Sequence, residues 1–121
     1  MRTQVEPLER FLDAIEHRDR DAISAAITAD AAWHIPGRNS IAGFHKGQDE
    51  ILELMQRIDL RTDGSFAIEA HDLVSNSRHA VLLGHLTASR GDDHLSISAV
   101  ATFHLGDGKL ADMWLAVSDQ Y

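Results

Sequence analysis

A change of hydrophobic period at about Ser65 most constrains how this chain can fold. Beyond it, residues 95–105 alternate strictly, so that Leu95, Ile97, Ala99, Ala101, Phe103 and Leu105 share one face. This alternation is typical of a strand with one buried face. Short turns rich in Gly, Asp, Asn and Ser separate four such segments, which predicts an antiparallel meander. The four predicted strands are residues 66–74, 80–89, 95–105 and 110–117.

Before Ser65 the apolar residues recur every three or four positions, which predicts helices. The first helix ends near His17, and the second begins near Asp21 with Asp19 as its N-cap. A third spans about residues 48–60, with acidic residues in its first turn. The predicted buried faces are Val5, Leu8, Phe11, Leu12 and Ile15; Ala22, Ile23, Ala26 and Ile27; and Ile51, Leu54, Met55 and Ile58.

Between the second and third helices, residues 33–35 are predicted to form a short strand that Pro36 and Gly37 end. A loop rich in Gly, Asn and Ser then leads to the third helix. No repeat, linker or low-complexity tract divides the 121 residues. The sequence therefore predicts one α+β domain over residues 1–121, with helices packed on one face of a curved antiparallel sheet.

Composition limits the kinds of partner that the protein is expected to bind and the cellular compartment in which it is expected. The formal net charge of -8 disfavours nucleic acid and anionic membranes, because phosphates require local positive charge. A neutral or cationic small molecule fits this charge. The absence of cysteine excludes disulfides and a thiolate nucleophile. No apolar run has the length of a signal peptide core or a membrane span, so a soluble, cytoplasmic protein is expected.

Several short motifs occur in an order that resembles a known family. Trp33 to Gly37 reads Trp-His-Ile-Pro-Gly, Gly43 to Gly47 reads Gly-Phe-His-Lys-Gly, and the last strand reads Gly-Lys-Leu-Ala-Asp-Met-Trp before Asp-Gln-Tyr. With the helical pair and the meander, this order resembles the SnoaL-like group of the NTF2-like, or ketosteroid-isomerase-like, superfamily. The resemblance covers almost the whole chain.

The resemblance implies a cone-shaped sheet that encloses an apolar cavity for a hydrophobic small molecule, without a cofactor. Ketosteroid isomerases of this superfamily use a tyrosine and two aspartates. Their positions fall here on Phe11, Ile35 and Ala101, none of which can exchange a proton. The ketosteroid isomerase mechanism is therefore not expected.

His85 is the predicted replacement for these groups. Strand alternation places it on one face with Leu83 and Thr87, and the resemblance turns that face toward the cavity. Desolvation there would favour a neutral imidazole that can act as a general base. The alternative is a buried histidine with a hydrogen-bonding role only. The predicted ligand contacts are Phe11, Trp33, Ile35, Met55, Leu83, Thr87, Ala101, Phe103, Met113 and Trp114.

Alternation in the last strand turns Met113, Leu115 and Val117 inward, and Asp112 and Trp114 outward. An exposed tryptophan on a sheet face predicts a homodimer through the outer face. A β-bulge would instead bring Asp112 into the cavity as an acid and Trp114 as a wall. By the same alternation, the side chain of His34 points away from that of Trp33. Arg38, in the polar loop, is expected to be solvated or to contact an anionic group of a ligand.

Other chemistries find little support. The eight histidines lack the spacing of a helical zinc site, and no metal site is predicted, although His79, His94 and His104 remain a possible cross-strand group. No nucleophile elbow and no phosphate loop are present. Two hypotheses remain. One is an acid/base enzyme of cyclase, isomerase, dehydratase or epoxide hydrolase type, and the other is a ligand-binding or dimerisation module without turnover.

Overall fold

The computed structural model describes residues 6–37 and 42–117. Within these residues the chain forms three helices and six strands, and the first two strands lie between the second and third helices. The helices are α1 (Glu6–Glu16), α2 (Arg20–Ala26) and α3 (Gln48–Arg61). The strands are β1 (Ile27–Ile35), β2 (Gly43–Lys46), β3 (Ala67–Ser75), β4 (His79–Arg90), β5 (Asp93–Gly106) and β6 (Lys109–Val117).

The strands form one mixed sheet in the order β2-β1-β6-β5-β4-β3. Strands β3 to β6 pair antiparallel with their chain neighbours, which confirms the predicted meander. Strand β1, which lies outside the predicted meander, pairs parallel with β6, so the sheet as a whole is mixed. A parallel neighbour can come only from a distant part of the chain, and periodicity within single strands does not report it.

The helix predictions are confirmed with one change at the end of α2. Asp19 caps α2 by accepting a hydrogen bond from the backbone N-H of Ala22 at 3.1 Å. Ile27 was predicted to extend this helix, but it begins β1 and is fully buried. The predicted loop after Gly37 also contains β2, whose four residues pair with β1 so that His45 lies opposite Trp33. Val5 lies outside the described residues.

The helices cover one face of the sheet. Helix α3 packs on β1 and β2, while α1 packs near β3 and β6. Their buried residues recur at the predicted helical steps. The largest fully buried side chains are Leu8, Ile27, Ile51, Leu54 and Leu110. None of the helices in the described residues has the length and hydropathy needed to cross a bilayer.

A β-bulge in β3 brings the backbones of β3 and β4 into close contact. Ala70 pairs with Gly84 and Asp72 pairs with Leu83, so His71 is the extra residue of the bulge. A Cβ atom built on Gly84 would overlap the carbonyl oxygen of Glu69. The neighbouring backbone therefore requires glycine at position 84.

We expect Gly84→Ala to lower the free energy of unfolding by about 1–3 kcal/mol, because the added methyl meets backbone that has no rotamer to change. Urea unfolding followed by circular dichroism measures the loss. Gly106→Ala is the matched control, since its Cβ would meet only ordinary contacts with side chains. Equal midpoints for the two variants would contradict the proposed close approach.

Candidate functional site

An apolar cavity of about 100 Å³ lies between the helices and the inner face of the sheet. Strands β4, β5 and β6 contribute alternate residues to it, and α1 and α3 close it. All the described lining residues have apolar side chains. They are Phe11, Leu12, Ile15, Trp33, Ile35, Met55, Ile58, Phe66, Ile68, Leu82, Leu86, Ala99, Ala101, Phe103, Met113 and Leu115.

Three aromatic rings form one wall of this cavity. The ring of Phe11 meets Trp33 edge to face at a centroid distance of 5.6 Å and Phe103 at 6.1 Å. Such arrangements align the ring edge of one residue with the π-face of another. Because all three side chains are at least 95% buried, they define the cavity wall rigidly.

Seven of the ten residues predicted to contact a ligand line the cavity. They come from α1, β1, α3, β5 and β6, and include the three positions that the sequence resemblance assigns to the ketosteroid isomerase residues. Each of those three is apolar, so none supplies a proton donor or acceptor. The seven are Phe11, Trp33, Ile35, Met55, Ala101, Phe103 and Met113.

The predicted orientation of β4 is wrong. Leu82 and Leu86 line the cavity, and therefore Leu83, His85 and Thr87 lie on the opposite face of the sheet. The strand contains apolar residues on both faces, so the sequence pattern alone does not set its orientation. Pairing with β5 does set it, because Leu82 lies opposite the inward Ala101. His85 contacts His71 and Ser98 on the outer face.

Asp112 and Trp114 also lie on the outer face, as simple alternation predicts. The Asp112 carboxylate is 3.6 Å from Nδ1 of His104, and Trp114 stacks on His34 at 4.9 Å. A bulge is present in β6, but it falls before Met113 and not beyond it. Met113 therefore points into the cavity, and the alternative that placed Asp112 and Trp114 inside it is wrong.

Five aromatic and histidine rings form a continuous row across the outer face, which we call the ring row. Neighbouring centroids are 4.8 to 5.0 Å apart. His34 contacts the rings of Phe44 on β2 and Trp114 on β6. In order across the sheet, the row is Phe44, His34, Trp114, His104 and His79.

An open groove of about 660 Å³ lies beside the cavity, between α1 and the start of β3. Four residues line both the groove and the cavity: Leu12, Ile15, Phe66 and Ile68. The groove also presents the carboxylates of Glu9, Asp13 and Glu16, together with the guanidinium of Arg18.

The Arg18 guanidinium joins three parts of the chain. It forms an ion pair with Asp59 at 3.2 Å and donates hydrogen bonds to the carbonyls of Ile15, Gly64 and Phe66. Its positive charge is therefore already paired within the protein. Near the same end of α1, the backbone carbonyl of Asp13, followed by its carboxylate, raises the pKa of the exposed His17.

The cross-strand group of His79, His94 and His104, which the sequence left open, does not form. His79 and His104 are in ring contact, but His94 lies opposite Ser89 at the other end of β5, so the three do not converge. Another group does: Glu69, His71 and His85 each place one possible ligand atom within 4.8 Å of the others. Sequence reasoning missed this group because its members meet only through strand pairing and the bulge at His71.

A profile of the SnoaL-like domain matches residues 8–113 of the chain. The chain belongs to the SnoaL-like domain family. Comparison with curated proteins gave no significant match.

Solved structures show that this SnoaL-like protein has the NTF2-like fold. Bal32a, from a soil-derived mobile gene cassette, is 25% identical with a TM-score of 0.91, covering 97% of this chain and 90% of its own. An NTF2-like protein from Burkholderia xenovorans is 18% identical with a TM-score of 0.79, covering 96% and 89%. TerC, co-crystallised with polyporic acid, is 17% identical with a TM-score of 0.84, covering 96% and 92%.

A carboxyl group placed in the cavity tests how apolar it is. We expect Ala101→Asp to have a raised carboxyl pKa in the folded state, because no described lining residue can pair with the charge. The folded state then binds the proton more tightly than the unfolded state. Stability should therefore fall as pH rises above about 4, by about 1.4 kcal/mol per unit of pKa difference.

Urea unfolding from pH 4 to pH 8 measures this slope relative to the unmodified protein. Ala25→Asp is the matched control, because Ala25 is exposed on α2 and lies on neither face of the sheet. Parallel pH profiles for the two variants would contradict an apolar, unpaired environment at position 101.

Proposed function

We propose that this protein binds a small apolar molecule, or the apolar part of one, in the cavity and performs no proton chemistry there. The observation that carries the proposal is the lining, in which every described side chain is apolar. Such a site gains affinity by removing apolar surface from water, at about 25 cal/mol for each Å². Among the described lining residues, none has a group that could polarise a carbonyl or move a proton.

The alternative is an acid/base enzyme of the cyclase, isomerase, dehydratase or epoxide hydrolase type. That hypothesis depended on His85 or Asp112 reaching the ligand. Both side chains lie across the sheet from the cavity, so the described residues favour binding over catalysis. General acid/base catalysis requires a group within hydrogen-bonding distance of the reacting atom.

The cavity volume limits the apolar group. A cavity of about 150 Å³ binds benzene in an engineered protein, and the volume here is about 100 Å³. The guest is therefore a short branched alkyl group or a ring no larger than benzene, unless the cavity expands. Most sites for drug-sized ligands measure roughly 300–1,000 Å³, so a larger ligand would extend outside.

The groove beside the cavity is the proposed place for the rest of such a ligand. Four residues line both spaces, so a molecule that crosses between them would contact α1 and β3. The three carboxylates of the groove repel anions, and the charge of Arg18 is already paired. We therefore expect the exposed part of the ligand to be neutral or cationic. TerC, a protein of the same fold, was co-crystallised with polyporic acid.

Xenon is a suitable probe for this proposal because it enters dry apolar cavities. We expect xenon under pressure to shift the methyl NMR signals of Leu82, Leu86 and Leu115 in a saturable way. Ala99→Leu should abolish the shifts, since the larger side chain fills the space that the guest needs.

Ala116→Leu is the matched control, because it adds the same atoms on the outer face of β6. It should bind xenon as the unmodified protein does. Unsaturable shifts in all three proteins, or equal saturable shifts with Ala99→Leu, would contradict binding in the cavity.

We further propose that the outer face of the sheet forms a homodimer. The ring row crosses this face, and Trp114 and Phe44 remain 39% and 56% exposed. Leu83 and Val100 are paired neighbours on the same face and are also exposed. Large apolar side chains of this kind are commonly covered by a partner, and a twofold dimer brings the same patch of each copy together.

Trp114→Glu should convert the dimer to a monomer, because it places a charge where the proposed interface excludes water. Sedimentation velocity over a range of protein concentrations measures the change. Leu60→Glu is the control, since Leu60 is 72% exposed on α3, on the other side of the molecule. A monomeric unmodified protein, or dissociation by both variants alike, would contradict this interface.

A further inference from the structure

The outer face of the sheet carries a compact group of metal-ligating side chains, across the sheet from the cavity. Nδ1 of His85 lies 2.8 Å from Nε2 of His71, and Oε1 of Glu69 lies 4.0 Å from the same Nε2. One ligand atom from each residue falls within 4.8 Å of the other two. Two imidazole nitrogens and one carboxylate oxygen therefore lie near enough to one another to share one ion after small side-chain rotations.

The strand pairing explains why these three residues meet. Glu69 lies directly opposite His85 in the β3-β4 pair, so both side chains leave the same face. His71 is the extra residue of the bulge, which turns its ring toward His85 at a centroid distance of 4.6 Å. Gly84 is next to His85 and admits the close backbone approach that the bulge requires.

Ser98 supplies a contact that suits metal binding. It lies opposite His85 on β5, with its Oγ 3.3 Å from Nε2 of His85. When Ser98 accepts a hydrogen bond from that nitrogen, the lone pair of the His85 ring resides on Nδ1, the atom that faces His71. Hydrogen bonding at the outer nitrogen is the usual way in which a metal-binding histidine is held in the correct tautomer.

We propose that Glu69, His71 and His85 bind one divalent transition-metal ion, and that Zn²⁺ fits the site. Zinc commonly takes two histidines and a glutamate, with water at the fourth position. Bond lengths of about 2.0–2.2 Å place tetrahedral ligand atoms about 3.3 Å apart, between the 2.8 Å and 4.0 Å separations found here. Side-chain rotation can close the difference, because Glu69 and His71 are more than half exposed.

The donor set also predicts which ions bind weakly. Mg²⁺ and Ca²⁺ prefer oxygen ligands, and only one of the three donors is oxygen. Zn²⁺, Ni²⁺ and Cu²⁺ accept imidazole nitrogen readily. The net charge of -8 adds a general attraction for cations but does not distinguish among them.

Isothermal titration calorimetry of the untagged chain with ZnCl₂ tests the site. We expect one Zn²⁺ per chain and no comparable binding of Mg²⁺. His71→Ala and His85→Ala should each weaken the binding of Zn²⁺ at least tenfold, because each removes a direct ligand. Ser98→Ala should weaken it less, by up to about tenfold, through loss of the hydrogen bond to His85.

His94→Ala is the matched control, since His94 is an exposed strand histidine with a serine partner but no place in the group. Its affinity for Zn²⁺ should equal that of the unmodified protein. Circular dichroism of every variant checks that the fold is kept. Absence of Zn²⁺ binding, or binding that persists in the His71→Ala and His85→Ala double variant, would overturn the proposal.

Discussion

The inward and outward alternation of β5 determines where nearly every functional side chain of this protein lies. Ala99, Ala101 and Phe103 point toward the helices, and the pairings with β4 and β6 transmit this choice to both neighbours. A slip of one residue would exchange the two faces of those strands. The cavity and the outer surface are therefore two results of one pairing register.

This register places the apolar cavity on one face of the sheet and the titratable side chains on the other. The described cavity lining is apolar throughout, while the histidines of β4 and β5 and the carboxylate of Asp112 lie across the sheet. Membership of the SnoaL-like family and the NTF2-like fold is shared with proteins of varied activity, so the chemistry must be argued from the site itself. Phe11, Ile35 and Ala101, the positions that the sequence resemblance assigns to the acid and base groups of ketosteroid isomerases, are all apolar residues of the cavity lining.

The sequence predicts those elements whose hydrophobic period is unambiguous. Helices α1 and α3 and strand β5 fall within a few residues of their predicted bounds, as does the cap at Asp19. Prediction from the sequence fails for segments whose local residue pattern does not distinguish one structure from another. Residues 80–83 are all apolar, so the orientation of β4 depends on its partner and not on its own residues. Contacts between distant segments likewise produce the short β2, the parallel pairing of β1 and the bulge at His71. The group formed by Glu69, His71 and His85 depends on that bulge, so the sequence does not predict it either.

The parallel neighbour of β1 has a consequence for how the protein is made. Trp33 lies beside Met113, eighty residues further along the chain, and both belong to the wall of the same hollow. Contacts of such long sequence separation must be formed against a large loop-closure entropy before they contribute any stability. During synthesis on the ribosome, the wall around Trp33 is accordingly completed only after β6 has emerged and paired with β1.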